Sequence, residues 1–218
     1  MAEAVFFDLD GTLADTAPDL IGTLHRLQAE HDRQATPFEQ LRPMVSNGVR
    51  GLLGVGFGLT PDMADYSPMA KRFLDLYADT LCVETRLFAG MAELLDALDA
   101  HGITWGVVTN KAERFARPII ETLGLAERSR CVVGGDTAAR AKPHPDPLLH
   151  ACQLSGTNPL QCLYVGDDIR DITAGRAAGM KTVAAAYGYL GNSAGVRTWE
   201  ADAIIQHPLE ILELLGTT

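Results

Sequence analysis

From about residue 90 onward the chain alternates short apolar runs with amphipathic helices, a rhythm that few folds accommodate. The segment 91–100 carries Leu94, Leu95 and Leu98 on one helical face and closes at Gly102. An apolar run at 103–109, a helix at 114–123 ended by Gly124 and a short run at 131–133 follow. The pattern repeats as a helix at 146–154, a strand at 162–165, a helix at 169–178 ended by Gly179 and a strand at 181–186. A strand at 203–205 and a helix at 208–215 complete it. Strands that are apolar throughout, each followed by a helix, must be covered on both faces. With the first apolar run at Val5–Phe7, they predict an α/β fold: a Rossmann-like, doubly wound parallel sheet core. Such sheets bind ligands beyond the carboxyl ends of their strands.

The region between about Asp15 and Val83 breaks this rhythm with helix patterns and no clear strand. Helices are expected at 18–30, with Leu20, Leu24 and Leu27 on one stripe, and at 37–45, 49–57 and 68–81. An all-helical insertion between the first strand and its following helix reads as a cap over the site. The expected division is a core of 1–15 and 84–218 and a helical cap domain of 16–83.

At the end of the first strand, Asp8-Leu9-Asp10-Gly11-Thr12 delivers two carboxylates two residues apart into a glycine turn. Strand side chains two apart share a side, and like charges held together are costly unless a cation or a shared proton relieves them. Asp-Gly alone is also a common hairpin signal. Three further pieces follow in order: Val107-Val108-Thr109-Asn110, Lys142-Pro143-His144-Pro145 and Leu163-Tyr164-Val165-Gly166-Asp167-Asp168-Ile169-Arg170-Asp171. Asp8, Thr109 and Asp167 all fall at expected strand ends, which places them at one site. The uses open to such a carboxylate pair are metal binding, nucleophilic attack and acid–base transfer.

Together these four pieces, spread over the whole chain, resemble the haloacid dehalogenase-like superfamily of aspartyl phosphotransferases, and within it the phosphoglycolate phosphatase-like branch. Leu87-Phe88-Ala89-Gly90-Met91, Trp105 to Lys111 and Tyr187-Gly188-Tyr189 are similar to stretches of bacterial N-acetylmuramic acid 6-phosphate phosphatases. The resemblance implies a phosphomonoesterase with a helical cap, in which Asp8 attacks phosphorus and Asp10 serves the leaving oxygen and then the water. It implies Mg2+, a hard cation that favours oxygen ligands, held by Asp8, Asp167 and the main-chain carbonyl of Asp10, with Asp171 supporting that shell. Asp168 either reaches the metal through water or caps the following helix. Thr109 and Asn110, with main-chain N–H groups near Gly11, would bind the phosphoryl oxygens. Thr12 anchors the turn, and Lys142 offsets charge on the nucleophile and phosphoryl group.

The cap loop Val45-Ser46-Asn47-Gly48-Val49-Arg50-Gly51 is expected to face the leaving group, with Arg50 able to hold a carboxylate bidentately. N-acetylmuramic acid 6-phosphate and 2-phosphoglycolate both carry one, so either fits that reading. A net charge of −10 argues against a nucleic-acid or anionic-membrane partner. The expected partner is a small phosphate ester, with the protein a monomer or homodimer. Four cysteines without CxxC spacing read as buried thiols of a reducing compartment. No run approaches the roughly 20 apolar residues of a membrane span, and no leader precedes the first strand, so a cytoplasmic protein is expected. A sugar phosphomutase and a non-catalytic phospho-ligand regulator stay open as alternatives. A dehalogenase would leave Asp10 and the Asp167 cluster superfluous. A phosphonatase would need a cap lysine, where Lys71 sits on an ordinary helix face.

Overall fold

The structure is a computed structural model that describes residues 2–190 and 193–216. Its centre is a parallel sheet of six strands: β1 (Ala4–Phe7), β4 (Thr104–Val108), β5 (Val132–Val133), β6 (Cys162–Gly166), β7 (Lys181–Ala185) and β8 (Ala203–Ile205). They lie in the order β5-β4-β1-β6-β7-β8. The order reverses about β1, which pairs with β4 on one side (Phe7 opposite Val107) and β6 on the other (Phe7 opposite Val165). The crevice of a doubly wound sheet opens at such a reversal, so topology alone places the site at the end of β1.

Burial explains why these runs are apolar throughout. The alternating side chains of β1 feed two different cores. Val5 and Phe7 pack with Leu94, Leu95 and Leu98 of helix α5 (Met91–Ala100), Ile119 of α6 (Glu113–Thr122) and Ile211 of α9 (Glu210–Leu215). Ala4 and Phe6 pack on the other face with Leu148 and Ala151 of α7 (Asp146–Ser155) and Ala174 of α8 (Ile169–Ala178). The helices of the second half fall within one or two residues of the expected bounds, and α8 matches them at both ends.

The insert holds α1 (Ala17–Glu30), α2 (Phe38–Leu41), α3 (Gly48–Phe57) and α4 (Tyr66–Asp79). Leu20, Leu24 and Leu27 of α1 do form one buried stripe, packed with Leu52 and Leu53 of α3 and Phe73 and Tyr77 of α4. Phe115 and Tyr189 of the sheet half join the same cluster, so the insert seats on the rest of the molecule through apolar contact. Two features differ from the sequence reading. The expected helix at 37–45 is a four-residue helix followed by a 3-10 turn, Arg42–Asn47, entered through Pro43, which lacks an N–H. A two-stranded antiparallel ladder, β2 (Ala14–Asp15) with β3 (Arg86–Leu87), joins the chain where it leaves for the insert and where it returns. All four cysteines are buried free thiols. No described helix is long and apolar enough to cross a membrane.

Candidate active site

Asp8 continues β1 by one ladder bond, its N–H donating to Val165 O at 2.9 Å. The turn beyond it requires Gly11, whose φ is +84° and where a Cβ would lie 2.2 Å from Asp167 Oδ2. That close approach brings Asp167, at the end of β6, against the first strand's turn. One carboxylate oxygen each from Asp8, Asp167 and Asp171 lie within 4.8 Å of one another, and all three side chains are buried.

Lys142 sits among them with 2 % of its side chain exposed. Its ammonium donates to Asp171 Oδ1 at 2.7 Å, Tyr164 OH at 2.7 Å and Val108 O at 3.2 Å, and Asp8 Oδ1 lies 3.0 Å away. Burial pulls this lysine's pKa down, but Asp171 and Asp8 outweigh it and hold the ammonium charged. Asn110 fixes the loop that carries Lys142. Its side chain accepts from Lys142 N and donates to Lys142 O, both at 3.0 Å.

The carboxylates carry the electrostatic strain. Burial, then the charges of Asp8 and Asp171, push Asp167 well above the ordinary carboxylate range. Burial raises Asp171 to about 6, with Lys142 pulling against it. Asp167 takes hydrogen bonds from Tyr189 N at 2.9 Å and Ser46 Oγ at 3.0 Å, with Thr12 Oγ1 further off at 3.4 Å. It has no cationic side chain as a direct partner among the described residues. Three clustered oxygen donors carrying excess negative charge fit a hard divalent cation such as Mg2+. Both oxygens of Asp171 are already engaged, Oδ1 by Lys142 and Tyr164 and Oδ2 by the N–H of Asp168. That arrangement suits support of the shell better than direct ligation. Asp168 is the N-cap of α8, in a reciprocal capping box with Asp171, and Arg170 holds its carboxylate below the usual range despite burial.

Asp10 lies apart from this cluster. Its side chain accepts from Lys111 Nζ at 2.8 and 3.1 Å and from Thr16 Oγ1 at 2.5 Å. The two carboxylates of the first motif therefore occupy different surroundings, one beside Lys142 and the acidic cluster, the other on a separate lysine. Thr109, buried, accepts from Lys111 N at 3.2 Å through its hydroxyl.

The cleft is lined by Asp8, Asp10, Ser46, Thr109, Asn110, Lys142, Asp168, Arg170 and Asp171. Of the cap loop, Ser46 reaches it. Asn47 and Arg50 are exposed and outside that lining, and Gly48 turns the chain with φ +58°. The guanidinium at the cleft belongs instead to Arg170, which pairs with Asp168 and donates to Ser46 O at 2.6 Å. About 30 Å3 of free space remains, room for water and too little for a phosphate ester. A far wider groove, of about 660 Å3, lies at the opposite ends of β6, β7 and β8. Charge, not size, marks the site.

Several contributors escape a reading of the sequence. Lys111 and Arg170 flank recognised motifs, but their carboxylate partners are set by the fold. Tyr164 is an alternating residue of a buried strand, with no outward sign of its bond to Lys142. Tyr189 accepts from Thr16 N and Ala17 N and donates to Asp15, which Arg42 grips bidentately at 3.0 and 3.1 Å. These contacts tie the start of the insert to the sheet half.

Residues 5–185 match the family model of the haloacid dehalogenase-like hydrolases. The chain belongs to that family. It is 45% identical over 213 residues to an N-acetylmuramic acid 6-phosphate phosphatase of Pseudomonas aeruginosa, covering 98% of this chain and 94% of that one. It is 43% identical over 210 residues to a phosphoglycolate phosphatase of Xanthomonas campestris pv. campestris, covering 96% and 95%. A crystal structure of a predicted phosphoglycolate phosphatase from Haemophilus somnus superposes with a TM-score of 0.85 at 28% identity, over 98% of both chains. The family and its fold agree with the sequence reading, and the chain is a hydrolase of the family's phosphatase kind.

Proposed function

We propose that the protein is a Mg2+-dependent phosphomonoesterase that works through an aspartyl-phosphate on Asp8. The observation that carries this reading is the separation of Asp8 and Asp10. One strand end supplies two carboxylates, and the fold gives each its own lysine and its own neighbours. Pairs of titratable groups in unlike surroundings are how one site runs nucleophilic and acid–base chemistry together. In this reading an Asp8 oxygen attacks phosphorus while Asp10 protonates the departing ester oxygen. Asp10 then takes a proton from the water that cleaves the phosphoaspartate. Lys142 balances charge on Asp8, and Thr109, Asn110 and main-chain N–H groups near Gly11 receive the phosphoryl oxygens. Asp8, Asp167 and the main-chain carbonyl of Asp10 would hold the cation, with Asp171 behind them. When bound, it supplies charge neutralisation between carboxylates and phosphate.

Residues 16–83 act as the cap and 1–15 with 84–218 as the catalytic core. The small cleft volume supports a cap that must lift to admit substrate and that excludes water when seated. The preferred substrate is N-acetylmuramic acid 6-phosphate, with 2-phosphoglycolate second, in the order of the relatives' similarity. Arg170, whose Nε and Nη2 are held by Asp168 and Ser46 O, leaves Nη1 to meet a carboxylate of either.

The test is release of inorganic phosphate from each ester, with Mg2+ and with chelator, for the native protein and Asp8→Asn. Cation-dependent release from one ester, lost in the variant, is the expected result. Release that survives Asp8→Asn would sink the mechanism. Isomerised sugar phosphate without free phosphate would point to a mutase.

A further inference from the structure

The turn after β4 ends in Lys111, a lysine the chemistry above does not use. Its side chain is 7% exposed, and its ammonium donates to both oxygens of Asp10, 101 residues away in sequence. The same ammonium lies 5.0 Å from the centroid of the Tyr77 ring, on α4 of the insert. Tyr77 is buried, and its hydroxyl has no hydrogen-bond partner among the described residues. Tyr77 therefore lies within cation–π range of the Lys111 ammonium. Asp10 Oδ1 accepts also from Thr16 Oγ1 at 2.5 Å, one residue before α1 begins. The carboxyl of Asp10 is thus gripped by the sheet half through Lys111 and by the start of the insert through Thr16, with Lys111 itself seated on the insert's last helix.

A buried ion pair is weak evidence of stabilisation, because desolvation offsets much of its attraction. What such a pair supplies well is a fixed geometry. An acid–base group on a turn gains most from that, since displacement of a reacting group by about 1 Å can cost roughly a hundredfold in rate. We propose that Lys111 is a positioning residue that holds Asp10 in line for proton transfer, and that Tyr77 couples this hold to seating of the helical insert. The inference rests on Asp10 being the acid–base.

The leaving group separates this role from others. In the first displacement the Asp8 oxygen–phosphorus bond forms, the ester oxygen–phosphorus bond breaks, and an alkoxide leaving oxygen takes Asp10's proton. A p-nitrophenolate leaves as the anion and needs no proton. In the second displacement water gives its proton to Asp10 whatever the first leaving group was. The experiment compares Lys111→Met, Lys111→Arg and Tyr77→Leu with the native protein on N-acetylmuramic acid 6-phosphate and, by stopped flow, on p-nitrophenyl phosphate. For Lys111→Met, kcat on the sugar phosphate should fall about a hundredfold with KM within about threefold. The first turnover of p-nitrophenyl phosphate should stay within about threefold of native, as a burst approaching one nitrophenolate per site before slow turnover. Lys111→Arg should regain about tenfold over Lys111→Met by restoring the charge. Tyr77→Leu should show the same selective defect at about three- to thirtyfold, the rate equivalent of a cation–π contact, and carries the test if Lys111→Met does not fold. A burst rate that falls as far as the sugar-phosphate kcat overturns the proposal, as does a rise in KM alone, which would mark Lys111 as a substrate contact. Activity surviving in Asp8→Asn is a different failure, that of the underlying mechanism.

Discussion

Replacing Lys142 by Met removes one charge from the most buried ionic cluster among the described residues while nearly keeping its volume. The ammonium donates to Asp171, Tyr164 and Val108 and lies 3.0 Å from Asp8. Without it two buried carboxylates lose their direct cation, and Tyr164 OH loses a donor. Removing one partner of a buried pair costs about 3–5 kcal/mol, because the remaining charge stays desolvated. For a chain of this length that is a fall in Tm of roughly 6–20 °C. The loss depends on pH in a definite direction. Burial already holds Asp171 at about 6 with Lys142 present, and the variant pushes it higher. A carboxyl raised in the folded state keeps its proton where the unfolded chain has lost it, so the folded state is penalised as pH rises. Each unit of acidification between about pH 7.5 and 5.5 should therefore return up to about 1.4 kcal/mol per affected carboxyl. The assay is urea unfolding followed by circular dichroism, in chelator, at both pH values. Adding Asp171→Asn to Lys142→Met should recover about 1 kcal/mol or more, since coupled neighbours do not add. A loss below about 1 kcal/mol at pH 7.5, or one that does not change with pH, would refute the reasoning.

The native protein in chelator should follow the same sign. Asp167 and Asp171 are both raised above the ordinary carboxylate range by burial, so stability should decline as pH climbs from about 4 through about 6. Millimolar Mg2+ should then raise the thermal midpoint more at about pH 7.5 than at about pH 4.5, and equal shifts at both would count against a cation held by this cluster. Gly166→Ala places a Cβ 2.3 Å from Asp171 Cγ, on a buried strand next to an engaged carboxylate. It should cost about 1–3 kcal/mol and at least tenfold in phosphate release, with normal release showing that Asp171 can move freely. Leu24→Ala empties a fully buried position in the insert, at about 2–5 kcal/mol. Hydrogen exchange should show the loss in α1, α3 and α4 before β1 and β6, and uniform loosening would mean the insert and sheet unfold as one unit.

Much of the fold is legible in the chain because apolar parallel strands announce themselves and fix the position of the residues just beyond them. Asp8, Thr109 and Asp167 each come directly after such a run, so recognising the strands locates the site. Helix α8 is legible to the residue because Asp168 caps it and Gly179 ends it. The β2–β3 ladder is invisible in the sequence because two residues show no period and the partners lie 71 or more residues apart. The break at Arg42–Asn47 is hidden because the buried Leu41 and Val45 keep a helical spacing of four across the 3-10 turn. The choice of arginine is the more instructive case. Arg50 and Arg170 both stand beside recognisable motifs, and nothing local says which faces inward. Arg170 does so from the first turn of α8, where it donates to Ser46 O, a contact spanning 124 positions. Lys111 is similar, since its meaning depends on Asp10 and Tyr77 being brought to it from distant segments.

The arrangement of charge explains why so acidic a chain can take an anionic substrate. With a net charge of −10, the protein at large repels a phosphate ester. Around the cleft stand five carboxylates, Asp8, Asp10, Asp167, Asp168 and Asp171, and three cations, Lys111, Lys142 and Arg170. Lys111 is matched to Asp10 and Arg170 to Asp168, which leaves Lys142 shared between Asp8 and Asp171, and Asp167 without a cation of its own among the described residues. When all are ionised, the two formal charges left over fall on the three carboxylates that cluster, where one divalent cation cancels them. With such a cation bound, the proposed site would attract phosphate at short range, from a neutralised cluster beside Lys142. A field of that kind would act only once the ester is within the cleft, so in the proposed reading recognition depends on what residues 16–83, as a cap, admit. The residues on the insert's inner side, Ser46, Thr16 and Tyr77, therefore stand where selection and chemistry meet: each touches a group that the proposed reaction or its cation uses, or the lysine that holds one.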